Sequence, residues 1–501
     1  MPHLFAASLT SLILLACATP GTGGAVAPAP VPGAPHRAVA APPPGEPHRA
    51  PAARAPAPGE PPRATARPAP APRAPRDDAS DGDAATPPVR ILHCGTLLAV
   101  PGEAPRRQVS LVVRDGEVAD VRDGYLEALP GDDAPVEIVD LRELFVLPGL
   151  IDCHTHLLGQ SVPVEERIRR RLQETEAHAA IDGVVYAERT LAAGFTTVRN
   201  VGSFGSTGLA LRDRIASGMI PGPRMLVSGP AVTVTGGHGD WTNAISPALR
   251  PELGPEMMTA DGPAEVRKAV RARVREGVDL IKITATGGVL SMTAAGVDQQ
   301  FFEDELAAIV EAAHRMGRKV AAHAHGADGI KAALRAGVDS IEHGTYLDDE
   351  AIALFVETGA YLVPTIHAGE YVAEKAKEEG YYPPEIREKA AAVGPVLQGA
   401  LGRAYEGGVR IAFGTDVGVG DHGTNALELE YMVEAGIPPE HCLVTATIHA
   451  ADLCGLSDRL GTLEPGKWAD VIAVRGDPLA DVGVLRDVRF VMKEGVIPDD
   501  A

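Results

Sequence analysis

The chain has 501 residues and a net charge of −21, with ordinary apolar content but 43 prolines, most of the excess lying ahead of Val89. Residues 18–89 carry seven arginines and six acidic residues, so from Arg90 onward 39 basic residues face 61 acidic ones. An acidic body of this kind argues against nucleic acid as a partner and offers no basic patch to anionic lipid.

Residues 4–16 form an apolar run that is too short to span a membrane and suits the core of a signal peptide. The run ends Leu14-Leu15-Ala16-Cys17, which resembles a bacterial lipobox, in which Cys17 would be lipidated and become the mature N-terminus. The match departs from the pattern at Leu15 and in having His3 but no Lys or Arg ahead of the run. An ordinary signal peptide and a misassigned start are the alternatives. We therefore expect residues 1–17 to direct export, giving a periplasmic protein or a lipoprotein anchored to the membrane through Cys17. Residues 18–89 are rich in Ala, Pro and Arg, and a unit Gly-x-Pro-x-Arg-Ala recurs at 33–38, 45–50 and 59–64. Such a stretch cannot bury a core and is expected to be a disordered linker of polyproline II character, either a tether or an inert spacer. The five cysteines include no C-x-x-C pair, so they form neither a disulfide framework nor a zinc ribbon.

From Arg90 to Glu143 the pattern is of short strands, with Asp115-Gly116 marking a hairpin. The C-terminal end repeats it at 469–475 and 488–495. Residues 90–145 with 461–498 are expected to pair into one small β-sandwich domain.

Between them, over 146–460, apolar strands alternate with amphipathic helices. Strands are predicted at 144–153, 195–201, 223–228, 279–284, 319–323, 339–343, 360–364 and 409–414. Helices are predicted at 264–276, 304–316, 326–336 and 349–358, and Gly277, Gly317, Gly337 and Gly359 follow them as C′ residues. Eight strand–helix units make an α/β fold, a (β/α)8 TIM-like barrel.

In such barrels the active site lies at the C-terminal ends of the strands. The first strand ends in His154 and His156, spaced so that a strand would turn both to one face. The third leads to His238, the fourth carries Lys282, the fifth ends in His323 and His325, the sixth in His343 and the eighth in Asp416. Metal-competent residues at the same end of so many strands are hard to reconcile with chance.

The motifs Pro148-Gly-Leu-Ile-Asp-Cys-His-Thr-His156, Thr235-Gly-Gly-His-Gly239, Ala321-Ala-His-Ala-His-Gly326, Ser340-Ile-Glu-His-Gly344 and Gly461-Thr-Leu-Glu-Pro-Gly-Lys-Trp-Ala-Asp470 resemble the metal-dependent amidohydrolase superfamily. Within it, the chain is similar to the branch of Xaa-Pro dipeptidases, related carboxypeptidases and N-acyl-amino-acid hydrolases, with imidazolonepropionase more distant. The resemblance implies two divalent metal ions. His154, His156 and Asp416 would bind one, His323 and His343 the other, and Lys282, carboxylated by CO2, would bridge them. Zinc is the default for such ligands, though Mn, Co or Fe would fit. It further implies hydrolysis of a C–N amide bond by a metal-bridged hydroxide, with Asp416 as the proton-transferring catalytic residue.

His238 and His325 are the candidates for substrate binding, against a plain structural role for each. Arg199 is a third, facing either a substrate carboxylate or a structural ion-pair partner. The expected partner is a small amide or peptide, with no nucleic acid, and a homo-oligomer is expected. The first choice of activity is an Xaa-Pro dipeptidase or carboxypeptidase. The alternatives are an ochratoxinase-like N-acyl-amino-acid hydrolase, a cyclic-amide hydrolase of the imidazolonepropionase kind, and, from another class, a catalytically dead surface-anchored binding protein.

Overall fold

The computed structural model describes residues 89–129, 134–243, 245–290 and 296–498. The expected signal segment, Cys17 and nearly all of the Ala/Pro/Arg-rich linker lie outside these residues. Among the described residues no helix is long and apolar enough to cross a membrane.

Fourteen strands appear in chain order among the described residues. β1 (Val89–Leu97), β2 (Arg106–Arg114), β3 (Glu117–Asp123) and β4 (Val136–Pro148) come first. The barrel strands are β5 (Leu150–Thr155), β6 (Phe195–Asn200), β7 (Arg224–Val227), β8 (Leu280–Thr284), β9 (Lys319–Ala324), β10 (Ser340–His343), β11 (Tyr361–Val363) and β12 (Arg410–Ile411). β13 (Val471–Val474) and β14 (Val488–Met492) close the chain.

The first four strands and the last two form one sheet in the order β14-β13-β4-β1-β2-β3. Asp115 and Gly116 both have positive φ (51° and 82°), the twist a tight β2–β3 hairpin needs. The sheet curls back on itself: Val118 N donates to Lys467 O at 2.8 Å and Gly466 N to Val118 O at 2.9 Å. Its inner face buries Leu92, Leu97, Val109, Leu111, Val146 and Val471.

The barrel strands run parallel in sequential order, as a sheet β5-β6-β7 and a sheet β8-β9-β10-β11-β12. Backbone hydrogen bonds join the two sheets at both seams. Val232 N donates to Lys282 O (2.8 Å) beside β7 and β8, while Cys153 N donates to Phe413 O (2.9 Å) and Asp416 N to His154 O (2.7 Å) between β12 and β5. Helices cover the outside, and Gly277, Gly337 and Gly359 end three of them at φ 91°, 92° and 71°, a left-handed conformation open to glycine without a Cβ penalty.

The run expected as a single strand over 144–153 is two. β4 belongs to the small sheet as far as Pro148, where it pairs with β13, and β5 opens the barrel at Leu150. Gly149 is the switch between them. A Cβ there would lie 2.3 Å from Thr196 Oγ1, so only glycine lets the chain pass this close to β6. An apolar run carries no mark of which sheet each half joins, which is why the break is invisible in the sequence. Arg224 of β7 ties the two parts together. It bonds Asp470 (2.8 Å) and Glu494 (2.6 Å) of the small domain and stacks its guanidinium 4.3 Å from the Trp468 ring centre.

Candidate metal centre

The strand ends converge. The ring centres of His154 and His343 are 5.0 Å apart, those of His323 and His343 4.7 Å, and those of His323 and His325 4.6 Å. Asp416 Oδ1 lies 3.2 Å from His156 Nε2 and 3.6 Å from His154 Nε2. Two sets each bring their ligand atoms within 4.8 Å of one another: His323, His325 and His343, and His154, His343 and Asp416. Lys282 is buried in β8 beneath them.

Three of these ends carry backbone that side-chain-bearing residues seldom adopt. His343, Thr365 and Asp416 have φ of 73°, 56° and 60°. A left-handed conformation at a β-branched threonine is costly and persists only where the surroundings impose it. Here Thr365 N is held by Gly414 O (3.2 Å), and Thr365 Oγ1 meets His343 Nδ1 at 2.7 Å. The turn at His343 also explains how two adjacent residues serve one site. Alternation turns Glu342 and His343 to opposite faces, and the left-handed step at the strand end brings the His343 ring back over the cluster.

Most of the imidazoles are oriented through Nδ1. His154 Nδ1 meets Glu342 Oε2 (2.7 Å), His325 Nδ1 meets Thr345 Oγ1 (2.6 Å) and His156 Nδ1 approaches Gly202 O (3.4 Å). Partners of this kind fix ring orientation and leave Nε2 as the ligating atom. Burial, reinforced by the Lys282 charge, holds His154 well below the ordinary imidazole range. Burial likewise depresses His323 and His343, and takes His325 to about 3. Neutral rings keep the lone pairs a metal needs. Burial of Asp416 favours its neutral acid, but its interactions with His154, His156 and Lys282 outweigh that and keep the carboxyl below its usual value. Burial pushes the Lys282 amine down to about 8.

His323 Nε2 and Asp416 Oδ1 are buried without a hydrogen-bond partner among the described residues. Unsatisfied buried polar atoms are rare and call for an explanation. Imidazole nitrogens and a carboxylate oxygen converging in this way fit a divalent cation of the zinc or first-row type.

His238 stacks on His323 with 4.3 Å between ring centres, and Gln300 Oε1 accepts from its backbone N–H at 2.9 Å. Arg199 is placed otherwise than as a substrate contact. Its guanidinium is buried and donates to Glu342 Oε1 (2.7 Å), Ser340 Oγ (3.1 Å) and Cys153 O (2.6 Å). Of the two roles open to it in the sequence, the ion pair is the one the geometry realises, with each of the three guanidinium nitrogens meeting a protein acceptor.

Sequence reasoning missed the groups that hold the candidate ligands. Asp152 accepts from His154 N (3.0 Å), Thr415 Oγ1 (2.6 Å) and Asn425 Nδ2 (2.8 Å), tying the turn before Asp416 to the end of β5. Glu428 accepts from Ile366 N (3.0 Å) and His367 N (2.6 Å), which steadies the turn carrying Thr365. Asp152 and Glu342 both stand inside the quoted motifs beside the histidines. Their proximity to a ligand was the available signal.

Residues 145–497 match the model of the amidohydrolase family. The ochratoxinase of Aspergillus niger is 34% identical over 432 residues, spanning 80% of this chain and 84% of that protein. An imidazolonepropionase of Rhizorhabdus wittichii is 29% identical over 400 residues, spanning 72% and 88%. Among solved structures, that of an Xaa-Pro dipeptidase with methionine bound in its active site is 42% identical, with a TM-score of 0.78, covering 82% of this chain and all of that one.

Proposed function

The chain belongs to the amidohydrolase family and is a hydrolase, and on that footing we propose that it cleaves the amide bond preceding a free C-terminal amino acid, with Xaa-Pro dipeptides as first choice. The observation that carries this reading is the convergence of His154, His156, Lys282, His323, His343 and Asp416 at one end of the barrel. The likeness to a solved Xaa-Pro dipeptidase supports the dipeptide. The likeness to an ochratoxinase favours a second reading, an N-acyl amino acid as substrate. The filled ligand positions argue against a dead scaffold.

In this reading His154, His156 and Asp416 would hold one divalent ion, His323 and His343 would hold another, and zinc is the default. When bound, the two ions supply Lewis-acid polarisation of the scissile carbonyl and a lowered pKa for the attacking water. Lys282, carboxylated by CO2, would supply an anionic ligand shared by both ions. Its amine adds to CO2 with loss of a proton, a reaction of the neutral amine that burial favours. Asp416, kept ionised by its neighbours, takes the proton of the attacking water and passes it to the leaving nitrogen. An amide needs that proton because an amine anion is a very poor leaving group. His238 and His325, flanking His323, hydrogen-bond the substrate oxygens.

Metal analysis of the native protein, together with amine release from a library of dipeptides and N-acyl amino acids, tests the proposal. We expect two divalent ions per chain, activity lost on chelation, and Xaa-Pro cleavage in the lead. Asp416→Asn should lower kcat by about 10²–10⁴-fold. Full activity in that variant, or in metal-free protein, would overturn the mechanism. Inert Xaa-Pro substrates beside cleaved N-acyl amino acids would favour the second reading.

A further inference from the structure

Beneath the histidines lies a charged pair that the proposed reaction does not use. The side chains of Arg199 and Glu342 are 3% and 0% exposed and meet at 2.7 Å. A buried pair of this kind is weak evidence for stability, since desolvation offsets the attraction. Its hydrogen bonds point elsewhere. Glu342 Oε1 accepts from Arg199 Nη2 (2.7 Å) and from Ser340 Oγ (2.5 Å), and Ser340 Oγ itself accepts from Arg199 Nη1 (3.1 Å). The other oxygen, Oε2, faces His154 Nδ1 at 2.7 Å. Arg199 Nε donates to Cys153 O at 2.6 Å, one residue ahead of His154. The guanidinium thus grips both the backbone that delivers His154 and the carboxylate that holds its ring.

The partner type sets His154 apart from its neighbours. His325 and His343 rest on threonine hydroxyls, which donate or accept as required and so leave the tautomer open. His156 approaches a carbonyl at 3.4 Å, at the limit of a hydrogen bond. A carboxylate clamped by a guanidinium and a hydroxyl only accepts. His154 must therefore carry its proton on Nδ1, and its Nε2 lone pair is left on the side of Asp416, 3.6 Å from Oδ1.

We propose that Arg199, Ser340 and Glu342 form a positioning relay that locks the tautomer and ring orientation of His154 and thereby sets the affinity of the site for a divalent cation. The relay rests on the metal-dependent reading above. Glu342 and Arg199 are positioning residues and touch no substrate. The relay needs two acceptor oxygens at residue 342, and an amide has one. In Glu342→Gln the side chain either serves His154 and turns its NH2 toward Arg199, or serves Arg199 and turns its NH2 toward His154.

The test is a titration of chelator-stripped full-length protein with Zn2+ in competition with a chromophoric chelator, with Co2+ as a spectroscopic probe. Far-UV circular dichroism and metal-free melting report the fold. Glu342→Gln should bind Zn2+ about 10–100-fold more weakly and alter the Co2+ visible spectrum. Ser340→Ala removes the hydroxyl's two hydrogen bonds, to Glu342 and from Arg199, without removing either charge, and should weaken binding by a smaller factor. Arg199→Lys keeps the charge but loses the fork, and should do the same. A purely structural role would lower the metal-free melting temperature and leave Zn2+ affinity and the Co2+ spectrum of the folded protein unchanged. That result in Glu342→Gln and Ser340→Ala overturns the relay. If Glu342→Gln does not fold, unchanged affinity in both Ser340→Ala and Arg199→Lys overturns it instead. A wild-type protein that takes up no divalent ion defeats the metal-dependent reading and the relay with it, and is distinguished by the wild-type titration alone.

Discussion

The sharpest demand on the site comes from a glycine. A Cβ built at Gly288 would lie 2.3 Å from His238 Cε1, 2.6 Å from Nδ1 and 2.7 Å from Nε2. Carbon atoms settle at about 3.5–4 Å, so in Gly288→Ala the imidazole must retreat by roughly 1 Å or more. Residue 288 is not among the left-handed positions, so alanine carries no backbone penalty and the perturbation is purely this contact. The loop under His238 cannot easily follow. Its backbone N–H is held by Gln300 Oε1 at 2.9 Å, and Gly237 N by Val234 O at 2.9 Å. The ring therefore yields, and its stack on His323 opens. A misplacement of about 1 Å at a reacting centre lowers rate by on the order of 10²-fold, or about 2.7 kcal/mol in transition-state stabilisation. Steady-state kinetics on the best dipeptide should show that loss in kcat/KM, with metal content and melting temperature unchanged. Added to His238→Ala, the glycine change should have little further effect, because both act through one ring. Wild-type kcat/KM in Gly288→Ala would refute the assignment of His238 to substrate. Loss of bound metal in place of catalysis would move His238 into the ligand set.

Two further predictions concern stability. Arg224→Met strands the Asp470 carboxylate, which is 2% exposed, between the barrel and the small domain; removing one partner of such a pair typically costs about 3–5 kcal/mol, and equal urea stability of variant and wild type at neutral pH would contradict it. Burial opposes ionisation of Asp470, but Arg224 prevails and depresses its pKa, so the stabilisation is present above the unfolded value of about 4 and lost as pH falls through the depressed one, and the gap between the two proteins should narrow in acid. His314 is the opposite case. Its hydrogen bond to Asp339 (2.8 Å) raises the imidazole against partial burial, so its contribution is full below about pH 6.5 and fades as pH rises through the raised value. Melting temperatures at about pH 6 and about pH 8 should diverge more for wild type than for His314→Gln, and equal slopes would refute the pairing.

The sequence by itself determined the barrel and which residues would meet at its mouth. Apolar strands alternating with amphipathic helices are a local pattern, read within windows of a dozen residues, and the C′ glycines and the Asp115-Gly116 turn are more local still. Once strands are parallel and sequential, every C-terminal end lies on one side. His154, Lys282, His323, His343 and Asp416 therefore had to converge, whatever holds each ring in place.

What holds them was settled only by tertiary structure. Glu342 meets His154 across 188 positions of sequence and Arg199 across 143, and Asp152 meets Asn425 across 273. No periodicity links such residues, because their contact depends on barrel closure and on which face each strand turns inward. The same limit applies to Arg199, whose charge was legible and whose partner was not. It applies to the break at Gly149, where one apolar run feeds two sheets. The chain announces its candidate ligands through the ends of its strands, while the groups that hold them in place depend on packing between strands far apart in sequence.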